Sequence, residues 1–221
     1  MTAESVIADG VAEMHAAMAS QPPNEVMGAF GREQAELAAA GVPAGVAAPG
    51  TPVGDAKLLD AHGQATSLHA ATEGGPAVVV FYRGVWCPYC NVALSAYHRH
   101  LLPALTARGV GLVAISPQNP DGTLSMREKH DLAFTVLSDP GNGVARDLGI
   151  LTRPSQEARA AQLLLGLDLT SVNADGTARL PMPTVAILDA GHVLRWIDVH
   201  PDYSTRTEPA QVLHALDQLG L

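Results

Sequence analysis

The residues able to do chemistry gather in one place. Cys87 and Cys90 are the two cysteines of the 221-residue chain, set in Trp86-Cys87-Pro88-Tyr89-Cys90. A cysteine reacts as its thiolate, and a free thiol with a pKa of about 8.5 is mostly protonated at neutral pH. Pro88 suits the first position of a helix, where its missing N–H costs nothing. Cys87 would then stand at a helix N-terminus, where unpaired backbone N–H groups and the helix dipole favour an anion. Cys90 follows one turn later on the same face, a spacing compatible with a Cys87–Cys90 disulfide. Arg83, four residues before Cys87, adds positive charge if it turns inward. Trp86 adjoins Cys87 as a cleft-wall residue. The pattern predicts a redox dithiol, with no third cysteine to resolve an intermediate.

The competing chemistry is metal binding. A zinc site needs about four ligands, and the chain offers no second cysteine pair and nine scattered histidines. His98 and His100 would point to different sides of a helix. No phosphate-cradling loop occurs either: Gly109-Val110-Gly111 precedes its strand instead of joining a strand to a helix. Neither a metal nor a cofactor is expected. The 22 acidic residues against 13 basic ones give a formal net charge of −9. That excludes a nucleic-acid partner, which needs a positive surface, and gives no support for docking on anionic lipid. With no run of about 18 apolar residues, no membrane span is expected. Met1-Thr2-Ala3-Glu4 carries an acid where a secretory leader carries basic residues. The expected location is the cytoplasm, where a lone Cys-x-x-Cys is a redox or metal motif and not a structural staple.

The elements that must position the dithiol can be read on either side of it. Ala77–Tyr82 is a continuous apolar run, as a strand buried on both faces requires. A helix over Pro88–Ala107 follows, kinked or shortened at Pro103 and stopped by Gly109. The strand Val110–Ser116, a helix capped by Asp121 and reaching about His130, and the strand Phe134–Leu137 continue the alternation. Upstream, Leu58–Gln64 reads as a hairpin turning at Ala61-His62-Gly63, and Ser67–Ala71 as a short helical turn. Downstream come short helices around Val144–Leu148 and Ser155–Leu164. Pro181-Met182-Pro183-Thr184 then leads into the strand Val185–Asp189, and Val193–Val199 returns antiparallel. A last helix starts near Thr207-Glu208-Pro209. Strand–helix alternation predicts an α/β fold with right-handed crossovers and a mostly parallel sheet. Residues 1–48 form a helical arm and linker ahead of a domain over 49–221. The arm carries Val6, Ile7, Val11, Met14 and Met18, breaks at Gln21-Pro22-Pro23, and resumes from an Asn24 cap with Val26, Met27, Phe30, Gln34 and Leu37. Its apolar stripes could pack on the domain or on a second subunit in a homodimer.

Phe81–Cys90 resembles the redox centre of the thioredoxin superfamily. With the Leu58–Gln64 hairpin, Val113–Pro117, Phe134–Asp139 and Ile187-Leu188-Asp189, the chain over roughly residues 50–200 is similar to the peroxiredoxin-like branch of the alkyl hydroperoxide reductase and thiol-specific antioxidant group. The resemblance implies a thioredoxin-like three-layer fold with a mixed, mostly parallel central sheet. It implies an antioxidant peroxidase that reduces hydrogen peroxide or organic hydroperoxides and is recharged by a thioredoxin-like or low-molecular-weight thiol. A thiol–disulfide oxidoreductase acting on disulfides, and a non-enzymatic thioredoxin-fold interaction module, are the alternatives. The peroxiredoxin motif Pro-x-x-x-Thr/Ser-x-x-Cys matches imperfectly. Set on Cys90, it puts Cys87 at the hydroxyl position and Arg83 at the proline; set on Cys87, it fails at Gly84 and Val80. The thioredoxin pattern makes Cys87 the preferred nucleophile, as the more exposed of the pair, and the peroxiredoxin alignment makes it Cys90. The arginine usual before the late strand is replaced by Met182-Pro183-Thr184, which looks like a thioredoxin cis-proline loop. Pro183 would lie in cis across the site, with Thr184 and Met182 flanking a backbone edge open to substrate. Arg127 and Arg153 are candidate donors to a peroxide oxygen.

Overall fold

The apolar run before the cysteines becomes the strand at the heart of the sheet. The computed structural model describes residues 5–19 and 25–221, so the Gln21-Pro22-Pro23 break and the Asn24 cap lie outside the described residues. Two helices open the chain, α1 (Val6–Ala19) and α2 (Glu25–Ala40). A hairpin of β1 (Lys57–Leu59) and β2 (Ala65–Ser67) follows, then the short α3 (Leu68–Ala71) with Ser67 as its N-cap. Asp60 closes the hairpin turn, its carboxylate accepting from the N–H groups of His62 and Gln64 at 2.8 Å each.

Next comes β3 (Ala77–Phe81), every residue of which is buried. It is followed by α4 (Pro88–Ala96), a π-helical turn over Tyr97–Leu101, and α5 (Leu102–Arg108). The helix expected over Pro88–Ala107 therefore exists but is widened in its middle. Pro103 has no N–H with which to continue the α pattern, and the N–H of Leu102 instead reaches back to the carbonyl of Tyr97. The chain continues through β4 (Gly111–Ser116), α6 (Pro120–Lys129), β5 (Thr135–Ser138), α7 (Gly143–Asp147) and β6 (Leu151–Thr152). Asn119, not Asp121, caps α6, accepting from the Gly122 N–H; Pro120 takes the first helical position and leaves Asp121 inside the first turn. The remaining elements are α8 (Gln156–Leu164), α9 (Leu169–Val172), β7 (Leu180–Pro181), β8 (Thr184–Leu188), β9 (Leu194–Val199) and α10 (Pro209–Leu219).

Seven strands form the main sheet in the order β2-β1-β5-β4-β3-β8-β9. It is mixed, as expected, but antiparallel pairings predominate. Only β3–β4 and β4–β5 run parallel among the described strands, whereas β1–β2, β1–β5, β3–β8 and β8–β9 are antiparallel. The strand–helix alternation builds only the central three strands, and a hairpin pairs onto each side of them.

Successive residues of β3 point to opposite faces. Val78, Val80 and Tyr82 pack with α4, the π-helical turn, α5 and α10, while Val79 and Phe81 pack with Leu68 of α3 and Val144 and Ala145 of α7. Helix, sheet and helix make the three layers. The arm is spent on its own chain. Ile7 of α1, 1% exposed, joins the first of these cores. The Glu208 carboxylate caps α1 through the N–H groups of Ile7 (3.0 Å) and Ala8 (2.8 Å). α2 lies along α8. There Glu33, 4% exposed, accepts from the Ser155 N–H at 2.6 Å and the Tyr203 hydroxyl at 2.8 Å.

Candidate active site

The site forms where β3 ends. Phe81 pairs with Ile115 on one side and Thr184 on the other, and Thr184 pairs with Val199, so the loops after β3, β4 and β9 emerge together. The turn Arg83–Trp86 is fixed by the Val85 N–H donating to Gln118 Oε1 (2.9 Å) and Asn91 Nδ2 donating to the Val85 carbonyl (3.1 Å). Gly84 is required here, because a Cβ would lie 2.3 Å from Trp86 Nε1 and 2.7 Å from Gln118 Oε1. Cys87 is the N-cap of α4 and Pro88 is in its first turn, as the sequence predicts.

The expected ring of amides around the Cys87 sulfur is absent, since its side chain makes no cap hydrogen bond. The donors converge on Cys90 instead. The Arg83 N–H lies 3.4 Å from Cys90 Sγ, and Arg206 Nη2 lies 3.2 Å from Cys90 Sγ and 4.0 Å from Cys87 Sγ. Both cysteines are free thiols and neither is exposed, at 1% for Cys87 and 0% for Cys90. Exposure therefore does not favour Cys87. What separates the two is the space they face. Cys87 is on the wall of a hollow of about 410 Å³ bounded by α2, Trp86–Tyr89 and residues 162–167. Cys90 lines a crevice of about 10 Å³ with Tyr97, Pro183 and Arg206.

Charge is divided unequally between the sulfurs. Burial pushes the Cys90 thiol up. The hydrogen bond from Cys87, the Arg206 guanidinium and the Arg83 N–H outweigh that burial and hold it well below the ordinary thiol range. Burial pushes Cys87 up, and the hydrogen bond to Cys90 and its negative charge push it further. The surroundings thus favour negative charge on Cys90 over Cys87.

Arg206 was not legible as a site residue, lying 116 positions from Cys90 with no motif around it. The available signal was topological: a strand antiparallel to β8 must end beside the end of β3. Its guanidinium donates to the carbonyls of Tyr203 and Thr205. The next residue is anchored at both ends, with Tyr97 OH donating to the Thr207 carbonyl at 2.7 Å and Thr207 Oγ1 to Asp198 at 2.9 Å. Burial pushes the Tyr97 phenol far up, which keeps it a neutral donor. Arg83 does turn inward. It is 5% exposed, with its guanidinium carbon 3.7 Å from the Tyr203 ring centroid and 5.2 Å from that of Trp86.

The proline loop differs from the expectation. The Met182–Pro183 peptide is trans, and no cis peptide occurs among the described residues. Nor is its backbone open to substrate. The Met182 N–H donates to the Ile150 carbonyl (2.8 Å), the Met182 carbonyl accepts from Thr184 Oγ1 (2.9 Å), and the Pro183 carbonyl accepts from the His200 N–H (2.8 Å). Two-stranded pairing of β6 with β7 and the loop after β9 occupy the edge that a cis-proline loop would leave free. Arg127 lies on the wall of a separate hollow of about 690 Å³, at the opposite end of the parallel strands. Arg153 shares a crevice with Glu33, Arg83 and Tyr203 and is not a hydrogen-bond partner of either sulfur.

A three-layer fold with a cysteine pair at the end of its central strand defines a thioredoxin-like dithiol protein. Residues 49–197 match the AhpC/TSA family, more than half of the chain, and the protein belongs to that family. A peroxiredoxin-named protein of Mycobacterium tuberculosis strain H37Rv is 27% identical over 138 residues, covering 62% of this chain and 85% of its own length. Chloroplastic peroxiredoxin Q of Populus jackii is 32% identical over 93 residues, covering 42% of this chain and 43% of its own length. The match therefore spans less than half of that relative. Among solved structures, reduced Prx3 of Vibrio vulnificus in complex with hydrogen peroxide superposes with a TM-score of 0.62 at 18% identity, over 77% of this chain and 99% of its own. Peroxidoxin BcpB of M. tuberculosis gives a TM-score of 0.57 at 20% identity, over 78% and 96%. Both likenesses concern the fold.

Proposed function

We propose that the protein is a thiol-dependent peroxidase working through a Cys87/Cys90 dithiol–disulfide cycle. The observation that carries this reading is the geometry of the pair: Cys90 Sγ is buried 3.2 Å from Arg206 Nη2, beside a Cys87 that lines a cavity. Peroxiredoxin-named relatives support the same chemistry. In the cycle, Cys90 first takes the proton from Cys87. The Cys87 thiolate then attacks the terminal peroxide oxygen, forming an S–O bond as the O–O bond breaks. The departing alkoxide or hydroxide takes the proton back from Cys90. The restored Cys90 thiolate attacks the Cys87 sulfenic acid, forming the disulfide and releasing hydroxide, which solvent protonates to water. An external thiolate attacks Cys87 from the cavity, with Cys90 leaving as the thiolate that Arg206 stabilises, and a second thiol of the reductant then attacks the mixed disulfide, freeing Cys87 and leaving as the oxidised reductant. The reductant is thioredoxin-like or a small thiol, and the setting is a reducing compartment such as the cytoplasm. No helix among the described residues is long and apolar enough to cross a membrane.

Arg206 and the Arg83 N–H favour a second assignment, in which Cys90 attacks the peroxide directly and Cys87 resolves. Single variants separate the two. With Cys87 first, Cys90→Ser is oxidised more slowly for want of its base but the sulfenic acid it forms is trapped on Cys87, and Cys87→Ser loses fast oxidation. The reverse result assigns the attack to Cys90. Stopped-flow tryptophan fluorescence of the reduced wild-type protein tests the peroxidase reading as a whole: oxidation no faster than that of a free thiol of equal pKa removes it. The filled hydrogen bonds of Met182 and Pro183 count against an extended protein disulfide as substrate, and a reductase-coupled insulin assay is expected to show no activity.

A further inference from the structure

We propose that His200 is a positioning residue of the dithiol site: its imidazole, clamped between Asp198 and Thr205, holds the loop after β9 so that Arg206 reaches the sulfurs. The inference rests on the dithiol reading of that site and names what fixes its cation. Arg206 belongs to no strand or helix. A long side chain loses much rotamer freedom when it is fixed, so the backbone that carries this guanidinium must itself be held. Asp198 and His200 stand two residues apart at the end of β9, where alternate side chains share a face. The His200 N–H donates to the Pro183 carbonyl at 2.8 Å. Pro183 precedes Thr184, which pairs with Phe81 at the end of β3. His200 is thus anchored to the same strand end that carries the cysteines.

The two side chains form one unit, with His200 Nε2 3.1 Å from Asp198 Oδ2. The hydrogen bond from His200 holds the Asp198 carboxyl below its ordinary range, so a carboxylate accepts there. This unit grips the chain on both sides of Arg206. His200 Nδ1 lies 2.7 Å from Thr205 Oγ1, and Thr207 Oγ1 donates to Asp198 Oδ2 at 2.9 Å. Arg206 is the residue between the two gripped threonines, and its Nη2 lies 3.2 Å from Cys90 Sγ. The imidazole lines the same crevice as Cys90 and Arg206. Both of its nitrogens are spent on Asp198 and the loop, so it acts on Cys90 through Arg206. The grip lies in the segment that follows residues 49–197, the part that matches the family.

The test titrates the full-length reduced protein by ultraviolet thiolate absorbance, which needs no peroxide. His200→Ala is expected to raise the first ionisation of the pair by about one pH unit, a loss of about tenfold in thiolate on the acid side of the transition. His200→Gln, whose amide can donate to Asp198 while its carbonyl accepts from Thr205, is expected to recover most of that loss. Added to Arg206→Leu, His200→Ala is expected to change the thiolate by less than about twofold, because the two act through one contact. A residue with a merely structural role would lower the urea midpoint and leave the titration in place. Thr205→Val, at an exposed position, reads the same grip if His200→Ala fails to fold, with an expected loss of about threefold in thiolate. A titration superimposed on the wild type would overturn the inference, as would an equal further shift when His200→Ala is added to Arg206→Leu. A shifted titration in a protein that peroxide oxidises no faster than a free thiol retains the positioning role and removes the peroxidase reading. Fast oxidation with an unmoved titration does the reverse.

Discussion

Arg206, together with the hydrogen bond from Cys87, favours charge on Cys90. Its guanidinium lies 3.2 Å from Cys90 Sγ, and neither sulfur has solvent to stabilise it. Arg206→Leu is expected to raise the pKa of the first ionisation of the pair and to slow oxidation at pH 7 by about tenfold or more, one pKa unit being tenfold in thiolate. The sign of the pH dependence follows from the depressed Cys90 value. In the wild type the thiolate persists below the ordinary thiol range and is lost as pH falls through the depressed value. In the variant the loss begins nearer the ordinary thiol range. Ultraviolet thiolate absorbance against pH, read beside the oxidation rate, checks both, and a variant curve superimposed on the wild type would remove Arg206 from this role. The same shift bears on stability. A folded-state pKa below that of the unfolded chain stabilises the reduced fold above the unfolded value, and this contribution disappears as pH falls through the folded one.

At the scale of elements, the turn between β3 and α4 is the constrained part. Its glycine has no room for a methyl group against Trp86 and Gln118, so Gly84→Ala is expected to cost about 1–3 kcal/mol by overpacking, measured by urea unfolding of the reduced protein. A cost near zero would mean that the turn relaxes freely. This turn also marks how far sequence reading reached. The apolar run of β3, the proline at the start of α4, the hairpins and the last helix follow local rules of burial, capping and turn chemistry, and they stand where those rules put them. The π-helical turn was legible only as trouble near Pro103, because a missing N–H says that a helix is disturbed and not how it recovers. The antiparallel majority of the sheet depends on which edge each hairpin joins, a nonlocal choice. The trans Pro183 and its filled hydrogen bonds depend on β6, β7 and the loop after β9. Arg206 became visible only once the ends of β3 and β9 were known to coincide.

Across the whole molecule, the helical arm is part of the site. Glu33 connects it to the centre, accepting from Tyr203, whose ring covers the Arg83 guanidinium. Tyr89 makes a second tie, its hydroxyl 3.0 Å from His15 Nε2 in α1 and 3.2 Å from Gln34 Nε2 in α2. Glu33→Ala leaves the Ser155 N–H without its acceptor and the Tyr203 hydroxyl with only the Phe30 carbonyl at 3.4 Å, and is expected to destabilise the fold by about 1–3 kcal/mol. Urea unfolding measures the loss, and hydrogen exchange is expected to rise in α2 and around Tyr203 together. Faster exchange in α2 alone would mean that the arm is an independent appendage.

Forming the disulfide has an electrical consequence. In the proposed cycle the Arg206 guanidinium would lose its partner anion on oxidation and recover it on reduction. The cation therefore favours the reduced form, as does any interaction that stabilises a thiolate but not the disulfide. The pair should have a comparatively high reduction potential and accept electrons readily from small thiols. Equilibration against glutathione buffers is expected to give a more negative potential for Arg206→Leu than for the wild type, and an unchanged potential would mean that the charge near Cys90 is balanced in some other way. One arginine outside the cysteine motif would then govern both the ease of the first attack and the ease of recharging.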